Sequence, residues 1–273
     1  MITKEVKMPK ELFAIFGNPV SHSKSPLMHN LSFRDLGFDA CYTRYLLEDG
    51  SKLKETFHAL GLKGINITVP HKEHAYHACD VLDPFAQKVG AVNTIVERDG
   101  RLYGYNTDAP GFLKAISEFT NAKQVLFLGA GGTAQSTSGI LRDEGYHVTI
   151  LNRSSSRLEK FASLGFEVFT FGTFTPKPYD LVINMTSAGL EDNSLPAPIE
   201  ILEKLIPASQ ACIDVIYGKE TAFLKLAKKY NKPTKDGSDM LLYQGIIAFE
   251  HFTDYKYNFD EIEPHMRQAF DFN

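Results

Sequence analysis

Four short stretches in the first 108 residues concentrate side chains that donate and accept hydrogen bonds or move a proton. They are GNPVSHSKSPLMHN (Gly17 to Asn30), GINITVPHK (Gly64 to Lys72), GAVNT (Gly90 to Thr94) and GYNTD (Gly104 to Asp108). In the first, Ser23 and Ser25 flank Lys24, and Pro26 follows directly. Pro26 favours an extended Ser25 and suits a first helical position, so Ser25 is expected to cap a helix with its oxygen while its O–H remains free to donate. In extended chain Ser23 and Ser25 project to one side and Lys24 to the other. Two hydroxyls beside a helix N-terminus make a seat for a carboxylate. On this reading Ser25 serves both stability and affinity, Ser23 chiefly affinity, and Lys24 is a bystander.

The other stretches fall at strand ends and turns, where α/β proteins place their sites. Each also has a plain structural reading. Asn66 and Thr68 fit an exposed strand face, Lys72 a solvated helix start, and Asn106 and Asp108 a turn and cap ahead of Pro110. Lys72 is the odd one, because the positive end of a helix dipole repels a cation.

A fifth stretch, VLFLGAGGTAQSTSGILRDEG, reads as strand, glycine-rich turn and helix. Gly129, Gly131 and Ala134 occupy the three places of G-x-G-x-x-G/A, within the loop Gly129, Ala130, Gly131, Gly132, Thr133, Ala134. The first allows the tight turn, the second lets backbone approach a pyrophosphate, and the third keeps the helix close to its strand. N–H groups at the helix start then face phosphates. At the end of the next strand, HVTILN, an NAD site places an acid on the ribose diol. Here stand Asn152, Arg153, Ser154 and Arg157, with no carboxylate before Glu159. Two guanidiniums among hydroxyls suit a 2′-phosphate, so the expected cofactor is NADPH/NADP+. Ser154 is also expected to cap the helix that follows.

These residues need elements to hold them. LFAIFG, ACYTRYLL and INITVP read as strands, SPLMHNLSFRDLG and SKLKETFHALGLKG as helices, a βαβ alternation that argues for parallel sheet. AVNTIVERDGRLYGYNTD instead reads as two β runs joined by Asp99-Gly100, a hairpin signal. After APGFLKAISEFTNAK the alternation restarts with QVLFLG, HVTILN, FEVFTF, YDLVINMT and ACIDVIY, which puts a boundary between two α/β domains near residues 108–120. MLLYQGIIAFEHFT reads as an amphipathic helix whose packing periodicity alone leaves open.

Composition sets the class. A chain of 273 residues, 43% hydrophobic and 23% charged, has globular usage and enough length for two cores. A net charge of −4 gives no reason to expect nucleic acid or a membrane surface as partner. Three scattered cysteines suit a reducing cytoplasm, and the N-terminal MITKEVKMPKELFAIFG has no apolar core of a secretory signal.

Taken in order, GNPVSHSKSPLMHN, GINITVPHK, GAVNT, GYNTD, GAGGTA, NRSSSR, NMTSAGL and DGSDMLLYQ resemble the shikimate dehydrogenase family over nearly the full chain. The resemblance implies an N-terminal α/β substrate domain (1–108, joined by 240–273) and a Rossmann-type NADP domain (109–239), with the C-terminal helix returning to the substrate domain. It implies reversible reduction of 3-dehydroshikimate to shikimate by NADPH, in aromatic amino-acid biosynthesis. It makes Lys72 and Asp108 the catalytic pair, and Ser23 and Ser25 the carboxylate seat. Asn66, Thr68, Asn93 and Gln244 match residues on the ring hydroxyls, and Tyr217 one that helps at the carboxylate. Thr186, Gly237 and Met240 join the cofactor residues. A ketone that accepts hydride becomes an alkoxide, so a proton donor or cation beside it makes chemical sense, with Lys72 and Asp108 acting as one coupled unit.

Two departures stand out. Gly218-Lys219 replaces the family's common Asn-Pro, which is expected to loosen the backbone after Tyr217, and Met185 stands where a small residue is common.

The competing readings are narrower. His71, His74 and His77 are close in sequence but do not share one helix face, and there is no H-E-x-x-H or G-x-S-x-G. A catabolic quinate/shikimate dehydrogenase using NAD(P) is the enzyme alternative. A non-catalytic NADP-binding module would lack Lys72 or Asp108, and both are present. The expected partner is a small molecule, and the expected state a cytoplasmic monomer or homodimer.

Overall fold

The computed structural model describes residues 11–272, so most of the N-terminal stretch read above lies outside the described residues. The chain divides into two compact units, Met1–Thr107 with Leu242–Asn273, and Asp108–Leu241.

The first unit is built on six strands: β1 (Glu11–Gly17), β2 (Ala40–Leu46), β3 (Gly64–Ile67), β4 (Val81–Leu82), β5 (Thr94–Arg98) and β6 (Arg101–Tyr105). Their order is β2-β1-β3-β5-β6-β4. β1 is parallel to β2 and β3, but β5 is antiparallel to both β3 and β6, so the sheet is mixed rather than parallel. The β5–β6 hairpin turns at Asp99 (φ 51°) and Gly100 (φ 72°), the pair of left-handed residues that a tight two-residue turn requires. Helices α1 (Ser25–Asp35), α2 (Leu53–Ala59), α3 (Lys72–Ala78) and α4 (Pro84–Val89) alternate with the strands. Ala14, Phe16, Leu53, Phe57, Ile65 and Ile95 form part of the core. Each fully buried phenylalanine, leucine or isoleucine among them contributes about 1.5–3 kcal/mol of transfer free energy.

The second unit alternates helices α5 (Asp108–Ile116), α6 (Gly132–Asp143), α7 (Glu159–Ser163), α8 (Ile199–Ala208) and α9 (Ala222–Lys229) with six strands. These are β7 (Gln124–Leu128), β8 (His147–Asn152), β9 (Glu167–Thr170), β10 (Leu181–Asn184), β11 (Ala211–Asp214) and β12 (Thr234–Lys235). The order β12-β11-β10-β7-β8-β9, all parallel, is the doubly wound arrangement that binds dinucleotides at the carboxyl ends of its strands. β10 and β11 are buried along their whole length, as strands covered on both faces must be.

Helix α10 (Ser238–Phe252) carries the chain from the second unit into the first, and α11 (Phe259–Arg267) follows it. Leu242, Gly245, Ile246, Phe249 and Phe252 form its buried stripe. A Cβ on Gly245 would lie 2.7 Å from Met28 Cε and 3.1 Å from Met266 Sδ, so the glycine lets α1 and α11 close on α10. Sequence reasoning missed α11, whose start is a capping box: Glu261 N–H donates to Asn258 Oδ1 (3.1 Å) and Asn258 N–H to Glu261 Oε2 (2.9 Å). Asn258 and Glu261, three residues apart, were the available signal; Pro264 inside the helix masks its periodicity.

Candidate active site

The serine turn is wound differently from the expectation. Lys24, not Ser25, is the cap position: its backbone is helical (φ −82°, ψ −10°), and its carbonyl accepts Met28 N–H at 3.1 Å. A turn closed by Ser23 N–H on Val20 O (3.1 Å) curls the chain earlier, so the extended alternation never forms. Ser23 Oγ accepts Ser25 N–H (3.2 Å) and donates to Ser25 Oγ (3.2 Å), and both serines are buried. The hydroxyls therefore still meet, but the division of labour reverses. Ser23→Ala is expected to cost about 1–2 kcal/mol of unfolding free energy, and Ser25→Ala less than about 1 kcal/mol, because only Ser23 satisfies a buried N–H. Urea denaturation of the two variants checks this, and equal losses would overturn it. Lys24 is no bystander either. Its Nζ donates to Phe272 O at 2.9 Å and lies 5.8 Å from the Phe270 ring, tying down the C-terminal turn.

From these serines a row of buried polar groups crosses the sheet. Tyr42 O–H donates to Asn66 Oδ1 (2.7 Å), and Asn66 Nδ2 donates to Thr94 Oγ1 (3.0 Å). Thr94 Oγ1 donates to Asn93 Oδ1 (3.2 Å), and Asn93 Nδ2 donates to Thr107 Oγ1 (3.0 Å) while its Oδ1 accepts Thr107 N–H (2.7 Å). The exposed-face reading of Asn66 thus fails: only 5% of it is accessible. Burial raises the Tyr42 hydroxyl pKa well above its ordinary value, so Tyr42 remains a donor. Sequence reasoning missed Tyr42, Thr94 and Thr107. The threonines stood inside the quoted motifs, whereas Tyr42 looks like any core aromatic of a strand. His29, from the first motif, is a core residue: it stacks on Tyr42 at 4.4 Å, and burial pushes its pKa down to about 3, which keeps the ring neutral.

Gly17 ends β1 where a Cβ would overlap Thr68 Cγ2, so the glycine lets the segment after β3 close over β1. Thr68 N–H donates to Phe16 O at 2.9 Å. Lys72 is the first residue of α3 and half-buried, and its carbonyl accepts Val92 N–H (3.1 Å), next to Asn93. Asp108 follows Thr107 and opens α5, where a carboxylate suits the helix dipole. Asn106 has a turn role, its Nδ2 donating to Ala91 O at 3.1 Å. Gln244 is half-buried on α10. His71 is committed to Leu47 O (2.6 Å), and among the described residues no three His, Cys, Asp or Glu side chains are grouped to hold a metal ion.

In the second unit a cavity of about 950 Å³ opens beside the glycine turn, lined by Ala130, Gly131, Asn152, Arg153, Arg157 and Thr186 among others. Gly129 has φ +113°, and a Cβ there would overlap Thr186 Cγ2; at Gly131 and Gly132 a Cβ would meet little or nothing of the protein. Ala134 is fully buried, which seats α6 on the sheet. Thr133, one residue earlier, accepts Ser136 and Thr137 hydroxyls at its carbonyl (3.0 and 2.8 Å). Arg153 and Arg157 are exposed and form no ion pair with a described residue. A glycine turn open to solvent, a helix N-terminus and two unpaired guanidiniums fit a dinucleotide bearing a 2′-phosphate. Ser154 does not cap α7. That helix starts after Leu158, and Ser154 instead accepts Asn152 Nδ2 at its carbonyl (2.9 Å), because four residues of turn intervene.

The far wall rests on a buried carboxylate. Asp214 accepts Asn184 Nδ2 (3.1 Å to each oxygen), Thr221 Oγ1 (2.7 Å) and Ile216 N–H (3.0 Å), while desolvation raises its pKa. Asn184 Oδ1 in turn accepts both the N–H (2.9 Å) and hydroxyl (2.7 Å) of Thr186. Tyr217 is half-buried, and burial raises its hydroxyl pKa. The following residues are tied: Gly218 N–H donates to Asp236 Oδ2 (3.3 Å), and Lys219 Nζ to Leu190 O (2.8 Å). Gly237 is dictated by the fold, since a Cβ would overlap Val215 O, and Met240 packs on the apolar cluster under the sheet.

Residues 15–95 match the family model for the shikimate dehydrogenase substrate binding domain. A shikimate dehydrogenase (NADP(+)) of Helicobacter hepaticus is 43% identical over 253 residues, 92% of this chain and 94% of that protein. One of Helicobacter pylori is 41% identical over 270 residues, 96% of this chain and all of the relative. The crystal structure of shikimate 5-dehydrogenase from Thermus thermophilus in complex with NADP(H) and shikimate superposes with a TM-score of 0.83 at 34% identity, covering 95% of this chain and 99% of that one.

Proposed function

We infer the chemistry from one premise: this chain belongs to the shikimate dehydrogenase family. It is an NADP-dependent oxidoreductase that interconverts 3-dehydroshikimate and shikimate. The observation that carries the substrate side is the buried row from Ser23 and Ser25 through Tyr42 and Asn66 to Asn93 and Thr107, polar groups held at fixed spacing for a small polyhydroxylated acid. Such a row orients a ring by its hydroxyls and holds its reacting carbon in place.

Within this reading Ser23 and Ser25 receive the carboxylate, with the N-terminus of α1 behind them. Asn66, Thr68, Asn93 and Gln244 hold the ring hydroxyls, and Tyr217 steadies the carboxylate. Gly129 to Ala134, Asn152, Arg153, Ser154, Arg157, Thr186, Gly237 and Met240 hold the nicotinamide cofactor, which when bound supplies the hydride as NADPH or accepts it as NADP+. Lys72 places its ammonium beside the carbonyl oxygen, stabilises the charge that gathers there, and gives it a proton. Asp108 keeps that ammonium in place and takes part in the same proton exchange. In the oxidation direction Lys72 takes the hydroxyl proton instead. The enzyme acts in the cytoplasm as a monomer or homodimer, with every named residue supplied by one chain.

The test is direct. The purified protein is mixed with shikimate or quinate and NADP+ or NAD+, and reduced nicotinamide is followed by absorbance. Shikimate with NADP+ is expected to give the highest kcat/KM by at least about tenfold, a difference of ~1.4 kcal/mol. Faster turnover of quinate with NAD+ would overturn this assignment in favour of a catabolic enzyme.

A further inference from the structure

Strand β2 lies at one edge of its sheet, and Tyr42 and Arg44, two residues apart, project from the same face. Tyr42 reaches the amide of Asn66. Arg44 reaches the serine turn: its Nε and Nη2 both donate to the carbonyl of Ser23, at 3.1 and 2.6 Å. No carboxylate among the described residues pairs with this guanidinium, whose charge is permanent and whose remaining N–H groups are uncommitted. A cation with no acidic partner is therefore fixed on the main chain of Ser23, whose hydroxyl bonds to that of Ser25. Two neutral hydroxyls can orient a carboxylate but supply no net charge to balance it.

We propose that Arg44 is a positioning residue for the substrate carboxylate, holding the serine turn through the Ser23 carbonyl while supplying the cationic field that the serine pair lacks. The inference rests on the reading that Ser23 and Ser25 seat the carboxylate. Because Arg44 is exposed, its field is screened by salt, and this separates charge from mere bracing. Arg44→Gln keeps a donor for the carbonyl but loses the charge, and Arg44→Lys keeps the charge but loses the fork.

Steady-state kinetics with saturating NADP+ are measured at about 0.01 M and about 1 M ionic strength, where the Debye length is ~30 Å and ~3 Å. Arg44→Gln is expected to lower kcat/KM for shikimate by about 5–10-fold at low salt, through KM, and by less than about twofold at high salt, with Arg44→Lys retaining most of the low-salt value. An equal loss at both salts, no loss at either, or a lysine variant as weak as the glutamine one would overturn the proposal. Wild-type protein that fails to oxidise shikimate at all would overturn the reading of the site itself, and Arg44's role with it.

Discussion

Replacing Lys72 with alanine is expected to lower kcat for shikimate oxidation by about 10³-fold, within the 10²–10⁴ that a positioned acid–base group contributes. The reason is local. Lys72 is half-buried at the start of a helix, where the dipole disfavours a cation, and its carbonyl is fixed by Val92 N–H next to Asn93. A lysine kept in an unfavourable place, on backbone tied to the polar row, is one with work to do. KM for shikimate should change little, because the row of serines, asparagines and threonines remains. Lys72→Arg divides the role further: it keeps a cation but cannot surrender its proton, so turnover should stay low if proton transfer dominates. Near-wild-type turnover in the alanine variant would remove Lys72 from the chemistry.

The second large effect is on cofactor choice. Arg153 and Arg157 line the cavity beside the glycine turn and form no ion pair with a described residue. A charge-assisted hydrogen bond contributes roughly 1.5–3 kcal/mol, so removing both should lower kcat/KM for NADP+ by about 10²–10⁴-fold. The same change should leave kcat/KM for NAD+ within about threefold, since no 2′-phosphate is present to lose a partner. Initial rates of Arg153→Ala/Arg157→Ala with each cofactor decide the matter. Parallel losses with both would mean that the arginines brace the turn after β8 rather than read a phosphate.

Much of this site is visible in the sequence because its residues cluster in motifs at strand ends. The glycine turn and the hairpin at Asp99-Gly100 each carry a local signature that tertiary packing does not alter, whereas the strand order within each sheet is set by pairing between distant segments. What is not visible depends on contacts between distant segments. Tyr42 is separated from Asn66 by 24 residues, and nothing in ACYTRYLL distinguishes a hydroxyl that orients an amide from one that merely points outward. Lys24 reads as a bystander until Phe272, 248 residues away, takes its hydrogen bond. The caps at Ser25 and Ser154 fail for another reason. A serine near a helix start is a good prior, but one helical residue at Lys24, or a run of turn before Leu158, moves the cap position along the chain.

The antiparallel ribbon β5–β6 has a consequence of a different kind. Asn93 and Thr107 bond to each other at its open end, and five register pairs separate them from the Asp99-Gly100 tip. The flanks of the tip are anchored, Glu97 by Lys63 and Arg98 by Asp254. One excursion of chain thus leaves the polar row and returns to it, with its turn at the opposite end of the ribbon. Such a ribbon behaves as a cassette: its tip can lengthen, shorten or accept a foreign sequence over evolutionary time without changing the register at Asn93 and Thr107. The same insulation makes Asp99-Gly100 a natural attachment point for a reporter group that must not disturb the chemistry.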